Sequence, residues 1–279
     1  MPKQAALTLI ERTHFVGVDF ATGKAMAGNT WVSMVARVGG VWTLVEASSL
    51  KSLMTQKSLS ANPTLKLFES LLQHRDALIG IDASFGIPQG LHDYPTWQAW
   101  LDAFPQIYPN ADAFRLACQE ASPEGKELKR KTDIEAKTPF SPYNLRHYKQ
   151  TFHVLHDVLR PFVMSQKGSV LPFTGIQLNK PCLVESCPAS ILKTLFEKVP
   201  SYKGKEASHA DAKHLILETL QAIFAVELSS TLRDSLLTQA GGDALDSFIV
   251  AWHLCRSWQA TPKVFVPKDL PYRIEGFVY

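Results

Sequence analysis

The chain has 279 residues, of which 46% are hydrophobic and 20% charged, and its formal net charge is +3. This composition lies near the average for globular proteins, so it excludes a wholly disordered chain. A single α/β domain with an insertion can use the whole length. The net charge is too small either to establish or to exclude a nucleic-acid partner.

The sequence also argues against secretion and membrane insertion. Four scattered cysteines predict neither a disulfide framework nor a zinc ribbon, because none of them forms a Cys-x-x-Cys pair. Residues 1–13 lack the apolar core of a signal peptide. No run reaches the roughly 18–20 apolar residues that a membrane helix needs. We therefore expect a cytoplasmic protein without a membrane partner.

The first third of the chain has the pattern of three strands, a helix and a fourth strand. Apolar and β-branched runs indicate the strands, and leucines at helical spacing indicate the helix. Gly39-Gly40 marks a tight turn, so the strands on either side of it are expected to form a hairpin. The predicted bounds are strands 14–20, 30–38, 41–47 and 77–82 and a helix over 64–74.

The middle of the chain, from about residue 91 to residue 180, is predicted to be a mostly helical insertion. It has aromatic-rich helical patterns over 96–104, 111–120 and 149–163, around a basic centre at 126–143. The whole chain is therefore expected to form a single α/β domain, with a mixed sheet flanked by helices and one insertion. The remaining predicted elements are a strand over 182–185, helices over 189–198, 208–225 and 243–258, and strands over 263–266 and 273–278.

Acidic residues end three of the predicted strands, at Asp19, Asp82 and Glu185. The carboxyl ends of parallel strands face a common crevice in open α/β sheets. Three carboxylates in one crevice repel one another unless protons or cations neutralise them. Hard divalent cations such as Mg²⁺ take oxygen ligands, so the pattern predicts a metal site.

Two further acids, Asp243 and Asp246, begin the last long helical pattern. Their i,i+3 spacing places both carboxylates on one face of a helix. Asp243 also lies in the first turn, where the helix dipole favours negative charge. Each acid alone has a simpler explanation as a turn former or a helix cap. The coincidence of three strand ends and a helical pair is what favours a shared site.

The order of these motifs resembles the ribonuclease H-like superfamily, and more narrowly the family known as domain of unknown function 429. The resemblance implies a ribonuclease H-like fold, nuclease activity, and an acidic cluster made of Asp19, Asp82, Glu185, Asp243 and Asp246. The large insertion at 91–180 departs from the pattern and is expected either to build a different pocket or to cover the site. The motifs that carry the resemblance are Ile79–Pro88, Val184–Ala189, Asp243–Ala251 and Glu275–Val278.

A divalent-metal-dependent nuclease, or another phosphodiester hydrolase, is therefore the expected function. The expected ions are Mg²⁺ or Mn²⁺; two such ions about 3.5–4 Å apart would activate a water and stabilise the leaving oxygen. Asp243 would be either a ligand or a hydrogen-bond acceptor behind the ligands. The predicted metal ligands are Asp19, Asp82, Glu185 and Asp246.

Substrate-binding residues are predicted at Lys24, Arg130 and Asp133. Lys24 follows the first strand, and Arg130-Lys-Thr-Asp133 resembles a stretch of longer members of the same family. The basic segment 126–149 could bind a phosphate backbone, with the aromatic residues Phe140, Tyr143 and Tyr148 stacking on bases. Its simpler explanation is a solvated loop or helix face.

Two other functions remain open from the sequence. An ATP-binding enzyme of the actin-like relatives would need Gly-rich phosphate loops, and only Gly23 and Gly28 lie near the first strand. A non-catalytic nucleic-acid-binding or scaffold module would have no evident reason to bear the repulsion of five acids.

Overall fold

The computed structural model describes residues 12–56, 63–261 and 266–279. The strands in chain order are β1 (His14–Asp19), β2 (Trp31–Val38), β3 (Val41–Ser49), β4 (Leu78–Asp82), β5 (Ser169–Val170) and β6 (Cys182–Ser186). The helices in chain order are α1 (Met26–Asn29), α2 (Leu50–Gln56), α3 (Pro63–Leu71), α4 (Trp97–Ile107), α5 (Ala111–Ala121), α6 (Lys131–Glu135), α7 (Tyr148–His153), α8 (Arg160–Met164), α9 (Pro188–Leu195), α10 (Ala207–Ile223), α11 (Ser230–Thr238), α12 (Asp243–Ala260) and α13 (Leu270–Glu275). A π-helical stretch, Val154–Leu159, joins α7 to α8. No helix in these ranges is long and apolar enough to cross a membrane.

The strands form one mixed sheet in the order β3-β2-β1-β4-β6-β5. The first three strands are antiparallel neighbours, whereas β1, β4, β6 and β5 run parallel to one another. Gly39 and Gly40, with φ of 58° and 91°, make the turn between β2 and β3. Positive φ at both positions is what a two-residue hairpin turn requires. The predicted hairpin and the α/β class with a mixed sheet flanked by helices are confirmed.

Helix α12 covers one face of the sheet and lies directly against its backbone. A Cβ atom on Gly17 would be 2.0 Å from the carbonyl oxygen of Ser247, and one on Gly80 would be 2.4 Å from Cγ1 of Val250. Side chains at these two strand positions would push the helix away from the sheet. Because glycine lets α12 approach so closely, the acidic first turn of the helix lies near the ends of β1 and β4.

The opposite face of the sheet is covered by the helix-rich segment between β4 and β6. Its apolar core joins strand residues such as Val18 and Ile81 to aromatic side chains of α4, α5 and α7. Trp97, Trp100 and Phe104 of α4 are fully buried in this core. Helices α4, α5 and α7–α8 agree with the helical patterns predicted over 96–104, 111–120 and 149–163.

The end of the chain differs from the prediction. The strand predicted over 273–278 is wrong, because Leu270–Glu275 forms helix α13. Pro271 suits the first turn of a helix, and Gly276, at φ 100°, ends it. Only Val278 makes a single strand-like bridge, to Glu185. The strand predicted over 263–266 lies almost entirely outside the described residues.

Candidate active site

A cavity of about 310 Å³ opens where β1, β4 and β6 end. Loops and helices from both sides of the sheet contribute to its wall, so the helical segment after β4 forms part of the cavity. Its charged lining residues are Asp19, Asp82, Asp133, Glu185, Asp246, Arg130, Arg146 and Lys203.

Asp19 and Asp82 lie side by side at the carboxyl ends of adjacent parallel strands. They are direct partners in the β1–β4 register, and neighbouring strands are about 4.8 Å apart. Both side chains are half-buried. Within the described part of the chain, neither carboxylate accepts a hydrogen bond. Two adjacent carboxylates therefore enter the cavity without a donor.

The third acid of this group is Asp246, in the first turn of α12, and we refer to Asp19, Asp82 and Asp246 as the aspartate triad. Burial raises the pKa of Asp19 well above its usual value, and the negative charges of Asp246 and Asp82 raise it further. Burial and the charge of Asp246 raise the pKa of Asp82 to about 7. Burial also raises the pKa of Asp246. The triad thus holds protons near neutral pH unless a cation takes their place.

Asp246 is 2% exposed, and both of its carboxylate oxygens have partners. The Tyr202 hydroxyl donates to Oδ1 at 2.5 Å, and Nζ of Lys203 lies 2.5 Å from Oδ2. Burial lowers the pKa of Lys203, but the negative charges of Asp246 and Asp19 outweigh burial and raise it. Sequence reasoning missed Tyr202 and Lys203, because they lie in the loop between α9 and α10, where no motif marks them.

Asp243 does not line the cavity. Its backbone N–H donates to Oε1 of Gln239 at 2.8 Å, and Nε2 of Gln239 donates to its carboxylate at 2.9 Å. This reciprocal pair fastens the connection from α11 to the first turn of α12. Asp243 still acts on the site at a distance, because its charge contributes to the raised pKa of Asp19.

Glu185 lines the cavity from the other face of the sheet. In the β4–β6 register, Asp82 pairs with Ser186, whereas Glu185 pairs with Ile81. Successive side chains of a strand point to opposite faces, so Glu185 lies with Ile81 on the side of the helix-rich segment. Strand alternation therefore separates Glu185 from the aspartate triad.

The carboxylate of Glu185 belongs to a second group, the arginine cluster of Arg130, Asp133 and Glu185. Arg130 donates from Nη1 and Nη2 to Glu185 at 2.8 and 2.5 Å. It also donates from Nε and Nη2 to Asp133 at 2.9 and 2.8 Å. The backbone N–H of Phe85 donates to Glu185 at 2.8 Å. The guanidinium and both carboxylates are thus engaged in hydrogen bonds.

Burial and charge pairing set the ionisation of the arginine cluster. Arg130 is fully buried; burial lowers its pKa, but the charges of Glu185 and Asp133 hold it well above its usual value. Burial raises the pKa of Asp133, but Arg130 holds it below its usual value. Burial raises the pKa of Glu185, against the effect of Arg130. Arg130 and Asp133, the predicted substrate-binding residues, line the cavity, and their polar atoms are already paired within the arginine cluster.

The closing motif Glu275-Gly276 fastens this wall of the cavity. Oε1 of Glu275 accepts from the backbone N–H of Gln89 at 2.7 Å, and Oε2 accepts from that of Lys131 at 2.8 Å. The Glu275 carbonyl accepts from Nη1 of Arg130 at 3.1 Å. A Cβ on Gly86 would lie 2.4 Å from the same carbonyl. The motifs after β4 and at the chain's end are therefore parts of one packed unit.

The rim of the cavity carries Phe140 and Arg146. Phe140 is half-exposed, and the guanidinium of the exposed Arg146 lies 5.8 Å from its ring centre. Tyr143 and Tyr148, the other predicted stacking residues, are buried. Lys24 is exposed but is not among the residues that line the cavity.

The donor set fits a hard divalent cation that keeps several waters. Mg²⁺ is usually bound by one or two carboxylates together with water and substrate oxygens, and Asp19 and Asp82 supply two carboxylates that no donor in the described part of the chain engages. In the described ranges, no three His, Cys, Asp or Glu side chains are grouped closely enough to hold a metal ion. No family model, curated protein or solved structure matches this chain.

Proposed function

We propose that this chain is a divalent-metal-dependent phosphodiester hydrolase acting on nucleic acid. The observation that carries the proposal is the pair of adjacent carboxylates, Asp19 and Asp82, which have no hydrogen-bond donor among the described residues and have raised pKa values beside Asp246. Keeping three carboxylates together in one cavity costs stability unless a cation neutralises them. Strained and charge-crowded groups of this kind are concentrated at functional sites, so the cost favours a cation-binding site.

The arrangement of the sheet supports a ribonuclease H-like fold as part of the proposal. The hairpin of β2 and β3 follows β1, which pairs in parallel with β4, so Asp19 and Asp82 end two adjacent strands of the same sheet. Helix α12 then brings an acidic first turn to those ends. This is the arrangement that the motif order implied.

The residues of the site divide the work of hydrolysis. Asp19 and Asp82 would hold Mg²⁺ or Mn²⁺, which when bound supplies Lewis-acid stabilisation of the charge that develops on a phosphodiester. The ammonium of Lys203 can donate to a phosphoryl oxygen while Asp246 holds it in place. Gln150 donates to the backbone carbonyls of Phe20 and Asp82, both at 2.6 Å, and so supports the strand ends that carry the ligands.

The rim supports a nucleic acid as the substrate. Arg146 and Lys203 are exposed cations that line the same cavity as the aspartate triad, and cations at such positions bind phosphate groups. Phe140 offers a half-exposed ring on which a base can stack. The rim can therefore bind a backbone phosphate through its cations and a base through the Phe140 ring.

The other two expectations have less support from the geometry. Nothing in the described ranges brings the turn at Gly23 and Lys24 to the cavity, as an ATP-binding enzyme of the actin-like relatives would need. A scaffold module would gain nothing from the crowded triad, because removing one carboxylate would relieve the repulsion.

A cleavage panel tests the proposal. Purified protein is incubated with single-stranded DNA, duplex DNA, RNA, a hybrid and a branched DNA, each with Mg²⁺, Mn²⁺ or EDTA. We expect cleavage only with a divalent metal. Asp19→Asn should lower the rate about 1,000-fold or more, because it removes an interaction worth several kcal/mol in the transition state.

The matched control for the panel is Asp234→Asn, which changes an exposed aspartate outside the cavity. This variant should cleave like the wild type, and both variants should unfold cooperatively. Equal cleavage by Asp19→Asn and the wild type would refute the proposal. A folded wild type that cleaves nothing in any metal would also refute it.

A further inference from the structure

The cation that already lies among the acidic residues is the ammonium of Lys203. It lies 2.5 Å from Oδ2 of Asp246 and interacts electrostatically with Asp19 and Asp82. Asp246 therefore differs from its two neighbours: its oxygens are engaged by Lys203 and Tyr202, whereas those of Asp19 and Asp82 have no donor in the described ranges. Within the triad, Asp246 is thus already paired with a cation, whereas the carboxylates of Asp19 and Asp82 remain available to a metal ion.

The loop that carries Lys203 is anchored on both sides of this residue. On one side, the Tyr202 hydroxyl donates to Asp246, and a Cβ on Gly242 would lie 3.1 Å from the Tyr202 ring. On the other side, the backbone N–H of Gly204 donates to the carbonyl of Ala240 at 2.9 Å. The Lys203 backbone is therefore tied to the start of α12, the helix that carries Asp246.

Charge counting agrees with this division. When a metal takes the place of the protons, three ionised aspartates carry −3 and Lys203 carries +1, which leaves −2 for the metal to neutralise. One divalent cation neutralises that charge, whereas two would leave a net charge of +2. Two cations about 3.5–4 Å apart would also have to share their ligands with an ammonium held against one of them.

We propose that Lys203 takes the place of a second metal ion, so that the site binds a single divalent cation at Asp19 and Asp82. This inference rests on the proposed function. The Lys203 side chain remains 54% exposed, and an ammonium has three donors. One N–H bond can thus stay on Asp246 while another reaches a phosphoryl oxygen of the substrate.

The stoichiometry of Mn²⁺ binding tests the inference without any measurement of activity. Isothermal titration of the full chain with Mn²⁺ at pH 8 should give one ion per chain. Lys203→Met keeps the apolar stem but removes the charge, so it should bind two ions per chain. Lys203→Arg keeps the charge and should bind one, and so should Lys205→Ala, a neighbouring exposed lysine outside the cavity.

Each result has a definite meaning. Two ions bound by the wild type would overturn the inference and leave the proposed metal site standing, and this holds even if a variant fails to fold. One ion bound by a cooperatively folded Lys203→Met would also overturn it. A wild type that binds no Mn²⁺ would refute the proposed function itself, and the inference with it.

Discussion

Two groups of charged residues share the wall of one cavity and have opposite properties. The aspartate triad contains three acids and one half-exposed lysine partner, and the pKa values of its acids are raised. The arginine cluster contains two acids around a fully buried guanidinium, which donates two hydrogen bonds to each of them. Among the residues that the structure describes, the aspartate triad has one positive partner for three acids, and this partner contacts only Asp246, whereas Arg130 pairs with both acids of its cluster.

The difference shows that a position at the end of a strand does not decide what an acid does. Asp82 and Glu185 both close parallel strands, but the register places them on opposite faces of the sheet. Asp82 therefore meets other acids, and Glu185 meets Arg130. We infer that the triad binds the metal ion for hydrolysis and that the arginine cluster stabilises the cavity wall.

The largest expected effect separates the two groups by activity. Asp82→Asn should lower metal-dependent cleavage about 1,000-fold or more, because it removes one of the two proposed metal ligands. Glu185→Gln keeps an oxygen for Arg130 and should lower the rate less than about tenfold, as expected for a residue behind the ligands. Initial rates on the best substrate of the panel measure both. If both variants folded and lost cleavage activity equally, the aspartate triad and the arginine cluster would not differ in function.

The next effect separates the groups by stability. Arg130→Met should lower the free energy of unfolding by about 3–5 kcal/mol, because it leaves two buried carboxylates without their partner. The matched control is Lys126→Met, since Lys126 pairs with Glu124 at 2.5 Å on the surface and such pairs contribute only about 0–1 kcal/mol. Urea denaturation compares them. If Arg130→Met were as stable as Lys126→Met, Arg130 would not stabilise the cavity wall.

A smaller effect is the dependence of stability on pH without metal. Asp82 has a folded-state pKa of about 7, above its unfolded value of about 3.9. The folded protein therefore holds more protons, and its stability should fall as pH rises from about 4 through 7, by on the order of 2–4 kcal/mol. Denaturation across this range in EDTA measures the fall. Asp82→Asn should make the fall less steep, although Asp19 and Asp246 still contribute to it because their pKa values are also raised. An equally steep fall in that variant would contradict the assignment.

The smallest effects belong to the two predicted residues that lie outside the cavity. Lys24→Ala should change the cleavage rate less than about twofold and the stability less than about 0.5 kcal/mol, as for other surface sites. Asp243→Asn keeps an acceptor for Gln239 and should cost less than about 1 kcal/mol. Rates and denaturation midpoints check both. If Lys24→Ala lowered the cleavage rate as much as Asp82→Asn does, Lys24 would have to belong to the active site.

The part of the site that the sequence predicts depends on local patterns. Asp19 and Asp82 come at the ends of short apolar runs, and Asp246 lies at helical spacing from Asp243. The residues next to each acid are therefore enough to predict its position. The hairpin is predictable for the same reason, because Gly39-Gly40 marks its turn. The apolar pattern over 273–278 predicts a strand where helix α13 forms, although Pro271 and Gly276 are local signals of a helix.

The remaining features depend on how distant segments are brought together. The pairing of Ile81 with Glu185 is a matter of register between strands separated by the whole helical segment, and the pattern of either strand alone does not contain it. The partners Arg130 and Lys203 lie in loops whose course is set by tertiary packing.

The affinity for Mn²⁺ tests the division between the two groups most directly. Calorimetry at pH 8 compares the wild type with Asp19→Asn and Glu185→Gln, after cooperative unfolding has shown that both variants are folded. Asp19→Asn should weaken binding more than about 100-fold, and Glu185→Gln less than about tenfold. Binding that survives Asp19→Asn and is lost in Glu185→Gln would contradict the account, because the metal would then belong to the arginine side of the cavity.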